Sequence, residues 1–380
     1  MNRISSAYPQ AAADTLPGRV LLHARQRPGA VALRYKRLGI WQVLAWDALA
    51  QEVGVLAAAL AADGFQAGDR LALLGHPRAE ALLLALAALW LGGEVAPLAV
   101  DLAPDALALT LTELAPQVVF AEDQEQVDRL LESGVALRRV VYGDARGLLH
   151  YQEPALQALE DWQRGYQTAA LPPIQAQPEG VAFVYARSCA WDARPAGALT
   201  HARLLASGAA LGAALGLHDD EEAFWGRRLA PAGLLRHLLA PWLVQGFRLS
   251  IPESLESRDQ DRREIGPTLV LGSAQSYARL QARILGRLPS ASAWQGRLIR
   301  AALEGQRGVL AWLVLHSLRE VVGLARVRHA VLVGEAPAPD VQQFYTRLGL
   351  PLRLAEGLES APLELAEDAL GRRLAVWVAP

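Results

Sequence analysis

The stretch Asp69–Val100, "DRLALLGHPRAEALLLALAALWLGGEVAPLAV", decides the fold class. Its first seven residues form an apolar run closed by Gly75, Ala79 to Leu91 carries the apolar density of a helix, and "EVAPLAV" is a second strand. The most apolar part, "ALLLALAALWLGG" from Ala81 to Gly93, stops short of the ~20 residues that span a bilayer. A helix buried between strands is therefore expected, with no transmembrane segment.

The same alternation continues on both sides. Trp41 to Gly64 gives a strand and then a helix, with Leu49, Val53, Leu56 and Leu60 on one face and Gly64 as the stop. Downstream, Pro104 to Leu114 is a helix and "PQVVFAED" a strand. Strands alternating with helices imply a mostly parallel sheet covered on both faces, an α/β protein.

A Pro/Gln-rich segment, "LPPIQAQPEG" at 171–180, marks the best boundary, dividing a first α/β lobe (1–170) from a second (181–350). In the second lobe strands are expected at 181–185, 246–251 and 268–272, helices at 201–215, 232–244 and 274–287, then two long helices near 293–304 and 308–322. The strand "RHAVLVG" and a helix at 339–348 follow, and residues 351–380 hold two strand-like runs, "PLRLAE" and "RLAVWVA".

Composition narrows the function. The chain has 380 residues, 52% of them hydrophobic, and a net charge of −2, which gives no footprint for nucleic acid. Cys189 is the only cysteine, so neither an internal disulfide nor a cysteine-rich zinc site can form; a small buried filler is the expected role. The N-terminus lacks the apolar stretch of a secretory signal, which points to the cytoplasm.

The loop at 183–201, "FVYARSCAWDARPAGALTH", carries the chemistry. A strand runs into a turn that closes on Thr200-His201 and opens an alanine-rich helix, the layout of a phosphate-gripping loop, with Gly197 as its only glycine. Together with "WQVLAWDALAQEVGVLAAALAADGFQAGDRLALLGHPRAEALLLALAALWLGGEVAPL", "IPESLESRDQDRREIGPTLVLGSAQSYARLQARILGRL" and "SLREVVGLARVRHAVLVGEAPAPDVQQFYTRLGLPLRLAEGLES", it resembles the AMP-forming acyl-CoA synthetases, specifically their long-chain branch. The resemblance runs from about residue 15 to 362 and implies two stacked αβαβα lobes, those of that family's N-terminal domain. Its third, β-rich lobe is reduced here, and the mobile C-terminal domain with the catalytic lysine is expected to be absent.

The resemblance implies activation of a carboxylic acid by ATP and Mg²⁺, then transfer of the acyl group to a thiol. Of the family's phosphate loop, YTSGTTGxPKG, Tyr185, Pro195 and Gly197 match, and Thr200-His201 match its helix start. Ser188 and Arg194 are the remaining candidates to meet phosphate, but Ala196 stands where the lysine would be, and bulky Trp191 replaces small residues. Gly334, Glu335, Ala336 and Pro337 match the motif near the adenine pocket. In "LAEGLESAP", Gly357 matches the third motif, Glu356 replaces its tyrosine, its threonine is missing, and Glu359 is the candidate remnant of the Mg²⁺ site.

Two readings follow. In the first, the chain is a catalytically impaired homologue with a degenerate nucleotide site and no resident cofactor, binding a fatty acid or acyl group, or a protein partner. In the second, it is an acyl-CoA or acyl-carrier-protein synthetase using ATP/AMP and Mg²⁺, completed by a separate C-terminal domain. Thr268 to Leu288 and Trp294 to Val333 are expected to wrap an apolar acyl channel, with the run Val309 to Leu315, between Arg307 and Arg319, read as a buried helix lining it in preference to one resting on a membrane surface. Lys36, the only lysine, is expected in an exposed hairpin, and His237 on a helix surface.

Overall fold

The computed structural model describes residues 14–186, 197–227, 234–290, 292–305 and 308–355, and the backbone of strands 363–367 and 373–377. The chain enters through α1 (Leu16–Gln26), forms the hairpin β1 (Val31–Arg37) and β2 (Ile40–Ala45), and continues into α2 (Trp46–Ala62). It then alternates through β3 (Arg70–Leu74), α3 (Ala79–Trp90), β4 (Glu94–Leu98), α4 (Pro104–Leu114), β5 (Val118–Ala121), α5 (Gln124–Glu132), β6 (Val140–Tyr142), β7 (Leu156–Ala158) and α6 (Leu159–Arg164).

Beyond the 171–180 segment come β8 (Val181–Tyr185), β9 (Gly197–Thr200), α7 (His201–Leu215) and β10 (Glu222–Phe224). A π-helical turn at Leu235–Leu239 leads into α8 (Ala240–Gln245), followed by β11 (Arg248–Ile251), α9 (Arg258–Ile265), β12 (Leu269–Gly272) and α10 (Ala274–Gly286). The remainder is α11 (Trp294–Leu303), α12 (Val309–Val321), β13 (His329–Val333), α13 (Pro339–Arg347), β14 (Leu352–Ala355), β15 (Leu363–Glu367) and β16 (Arg373–Trp377).

The sheets exchange strands across the 171–180 segment. One is nine-stranded, β15-β16-β9-β8-β4-β3-β5-β6-β7; the other is seven-stranded, β14-β13-β12-β10-β11-β1-β2. Thus β8 and β9 join the sheet of β3 and β4, while β1 pairs in parallel with β11, Leu33 opposite Leu249. Among the described strands, only the pairs β1/β2, β8/β9 and β15/β16 run antiparallel.

The helices follow their local chemistry. Thr15 caps α1 by accepting the Gly18 N–H, and Pro104 opens α4, where no amide donor is needed. In α2 the face of Leu49, Val53, Leu56 and Leu60 is fully buried, and in α3 every residue from Ala81 to Trp90 is buried. A helix apolar all round needs cover on all sides; α3 has it from α1, α2 and the sheet.

The lobes meet in one core. Trp46 of α2 stacks on Trp242 of α8 at 5.2 Å between ring centres, and His23 of α1 lies 4.5 Å from Trp46. The Trp242 indole N–H donates to the Ala32 carbonyl, and the Trp90 indole N–H to Pro172. Among the described residues no helix is long and apolar enough to cross a membrane.

Candidate functional site

The hairpin of β8 and β9 sets Tyr185 opposite Gly197, the two anchors of the phosphate-loop resemblance. Half-buried Tyr185, Leu271 and Val333, on β8, β12 and β13, pack against the same large core. Thr200, as N-cap of α7, accepts the Arg203 N–H at 3.3 Å. Beside it His201 is buried and its Nδ1 accepts the Leu16 N–H at 3.3 Å, which places any ring proton on Nε2. Burial pushes its pKa down to about 3, so it stays neutral and ties the hairpin to α1.

Ser188 and Arg194, with Cys189, Trp191 and Ala196, lie outside the described residues, as do Gly357 and Glu359. The turn after β13 is described: Gly334 has φ +90°, which favours glycine, Glu335 and Ala336 are exposed, and Pro337 is half-buried ahead of α13. Tyr185, with Gly197 opposite it, and Gly334 therefore stand at the carboxyl ends of β8 and β13, where open α/β sheets bind ligands, whereas Thr200 pairs with Val181 at the other end of the hairpin. Among the described residues no group of three or more His, Cys, Asp or Glu is gathered to hold a metal.

One cluster at the same kind of strand end escapes sequence reasoning. Glu122, after β5, accepts the His76 backbone N–H at 2.6 Å, His76 Nδ1 at 2.8 Å and Arg78 Nε at 2.9 Å. Burial works against its charge, but these donors outweigh it and hold the pKa at about 2. Permanently ionised at neutral pH, Glu122 positions His76 and Arg78 and is no general acid. Its only trace in the sequence is polar residues, "GHPR" and "ED", directly after two apolar strands.

Three expectations are corrected. Lys36 is not solvated: it is 8% exposed and bonds Asp261 at 2.8 Å and Glu264 at 2.6 Å, because β1 lies inside the sheet and faces α9. His237 is buried in the π-helical turn. α12 is not a buried helix: it has no fully buried residue, leaves Val309, Leu310, Trp312 and Leu313 exposed, and packs through half-buried Leu315 and Leu318. The cavity of about 590 Å³ bounded by Thr268–Leu288 is not purely apolar either, since five arginines line it.

Two strand-exchanging, mainly parallel sheets, with a loop-bearing hairpin at the strand ends, define the class: the N-terminal-domain architecture of adenylate-forming enzymes. The sequence profile of the AMP-binding enzyme family matches residues 21–357, and the chain belongs to that family. Among curated proteins none matches the sequence. Of solved structures, the A-PCP didomain of carboxylic acid reductase from Segniliparus rugosus, in complex with AMP, is similar at TM-score 0.72 and 16% identity over 94% of this chain. An acyl-CoA synthetase from Brucella canis gives 0.70 and 18% over 90%. The fatty acyl-adenylate ligase from L. pneumophila, with acyl adenylate and pyrophosphate, gives 0.63 and 15% over 90%. This chain spans 57%, 57% and 54% of those chains respectively.

Proposed function

We propose that this chain binds a carboxylic acid in the manner of long-chain acyl-CoA synthetases but does not form acyl-adenylate with its own residues. The observation that carries this reading is the place of Lys36. It is the chain's only lysine, and it is held by Asp261 and Glu264 between β1 and α9, whereas the hairpin of β8 and β9 belongs to the other sheet.

A triphosphate needs backbone N–H groups that approach closely and a cation at its outer phosphates. The 186–196 segment holds no glycine and no lysine, with Ala196 at the lysine position, so its residues do not fit that group. AMP makes neither demand, and the turn at Gly334–Pro337 is the part of the site that would lie against it. ATP is therefore expected to bind no more tightly than AMP. Titration calorimetry checks this; ATP bound at least ~10-fold more tightly, with the gain lost in Arg194→Ala, would show the arginine standing in for the lysine.

The second reading, an active synthetase completed by a separate C-terminal domain, is equally compatible with the family match and the structural neighbours. On that reading acid-dependent adenylation appears only when a lysine-bearing C-terminal domain is added.

A further inference from the structure

A cavity of about 590 Å³ opens at the C-terminal ends of β10 and β12, roofed by α9 and α10. Its size is that of a small-molecule site. Helical spacing explains its lining: Arg258, Asp259 and Arg262 lie one turn apart on α9, and Ser276, Arg279, Leu280 and Arg283 follow at i, i+3, i+4 and i+7 on α10. Arg227, just past β10, completes a set of five guanidiniums facing one carboxylate.

That carboxylate is already spent. Asp259 takes Arg262 at 3.0 Å through one oxygen and Arg283 through the other. Among the described residues Arg227, Arg258 and Arg279 have no side-chain hydrogen bond or ion pair. Burial pushes the pKa of Arg227 below the ordinary guanidinium value, whereas Arg262, lowered by burial to about 10, is already bonded to Asp259 and to the Val322 carbonyl. Arg227 and Arg258 are half-buried and Arg279 is exposed at the mouth, so the partly dehydrated guanidiniums favour a counter-charge. The chain as a whole carries a net charge of −2, so the positive excess in this lining is local. The amino end of α10, with Ser273 and Ser276, lies in the same lining and adds donors.

We propose that this cavity binds a phosphate monoester of a small organic molecule, the phosphate among Arg227, Arg258 and Arg279 and the apolar body against Phe224, Leu271 and Leu280. A phosphate brings close to two negative charges and three acceptor oxygens, matching several guanidinium forks, whereas one carboxylate leaves the excess largely uncancelled. No described residue of β8 or β9 lines this cavity, and the proposal does not rest on the adenylation reading.

Titration calorimetry of the full chain with hexyl phosphate, inorganic phosphate, hexanoate and AMP tests it. Hexyl phosphate is expected to bind at least ~10-fold more tightly than inorganic phosphate, through its apolar body, and than hexanoate, through its charge. Arg227→Gln and the exposed Arg279→Gln should each weaken it by ~10-fold or more, while Arg300→Gln, the same charge change on α11, should leave it unchanged. AMP binding that survives Arg227→Gln reports the nucleotide site instead. Should Arg227→Gln prove unstable, Arg279→Gln and Ser276→Glu, both at exposed positions, carry the test. Absence of phosphate binding, equal binding by Arg279→Gln, or hexanoate binding as tightly as hexyl phosphate would overturn the proposal.

Discussion

At the residue scale, the ion pairs of Lys36 and two buried histidines set how stability depends on pH. Burial works against the Lys36 charge, but bonds to Asp261 and Glu264 outweigh it and raise its pKa; Glu264 is in turn held low, chiefly by Lys36. The lysine's contribution is complete below the ordinary lysine pKa and fades only as pH rises through the raised value, and Glu264's is lost as pH falls below the usual carboxylate range. Lys36→Met leaves the fully buried Asp261 without its cation, held only by the Ser257 hydroxyl and the Glu253 N–H, and should cost about 3 kcal/mol in urea unfolding. The histidines act on the acid side. Burial lowers His23 to about 4 and His201 to about 3, so both add stability that is complete above about pH 6.5 and lost as the pH falls toward those values. Each contributes about 1.4 kcal/mol per pH unit in that window. His201→Asn, whose side-chain oxygen can still accept the Leu16 N–H, should reduce the acid slope by about one proton, read from unfolding midpoints between pH 6 and 4.

Elements differ in how far they can be read from sequence. α2, α3, α4 and α7 were legible because periodicity, a proline or a threonine cap fixes them locally. The pairing of β1 with β11 and the passage of β8 and β9 into the first sheet were not, since strand partners are chosen by tertiary packing. The apolar run of α12 misleads for the same reason: hydropathy states what a helix carries, not what covers it. The arginine cavity joins residues of β10, α9, β12 and α10 that are far apart in sequence. Two substitutions separate covered from uncovered helices. A Cβ on Gly208 of α7 would lie 2.6 Å from the Ala240 carbonyl carbon, so Gly208→Val should cost about 1–3 kcal/mol or more. Trp312→Glu on exposed α12 should change stability by no more than about 0.5 kcal/mol, measured in the same denaturant series.

At the scale of the whole molecule, the AMP-binding family fold is present. On the reading proposed above, fold and chemistry separate in this chain, because function lives in a site grafted on a scaffold. The anchors of the nucleotide motifs, Tyr185, Gly197, Thr200 and Gly334, are the ones that also serve the backbone: a strand pair, a helix cap and a left-handed turn. Structural duty explains their presence without catalysis. The most direct measurement is isotope exchange between pyrophosphate and ATP, run with Mg²⁺ and carboxylic acids from hexanoate to palmitate on the chain alone. The account predicts no acid-dependent exchange above background for any acid. Exchange that needs the acid and disappears in Glu359→Ala would contradict it, because it would place a working adenylation site in this chain.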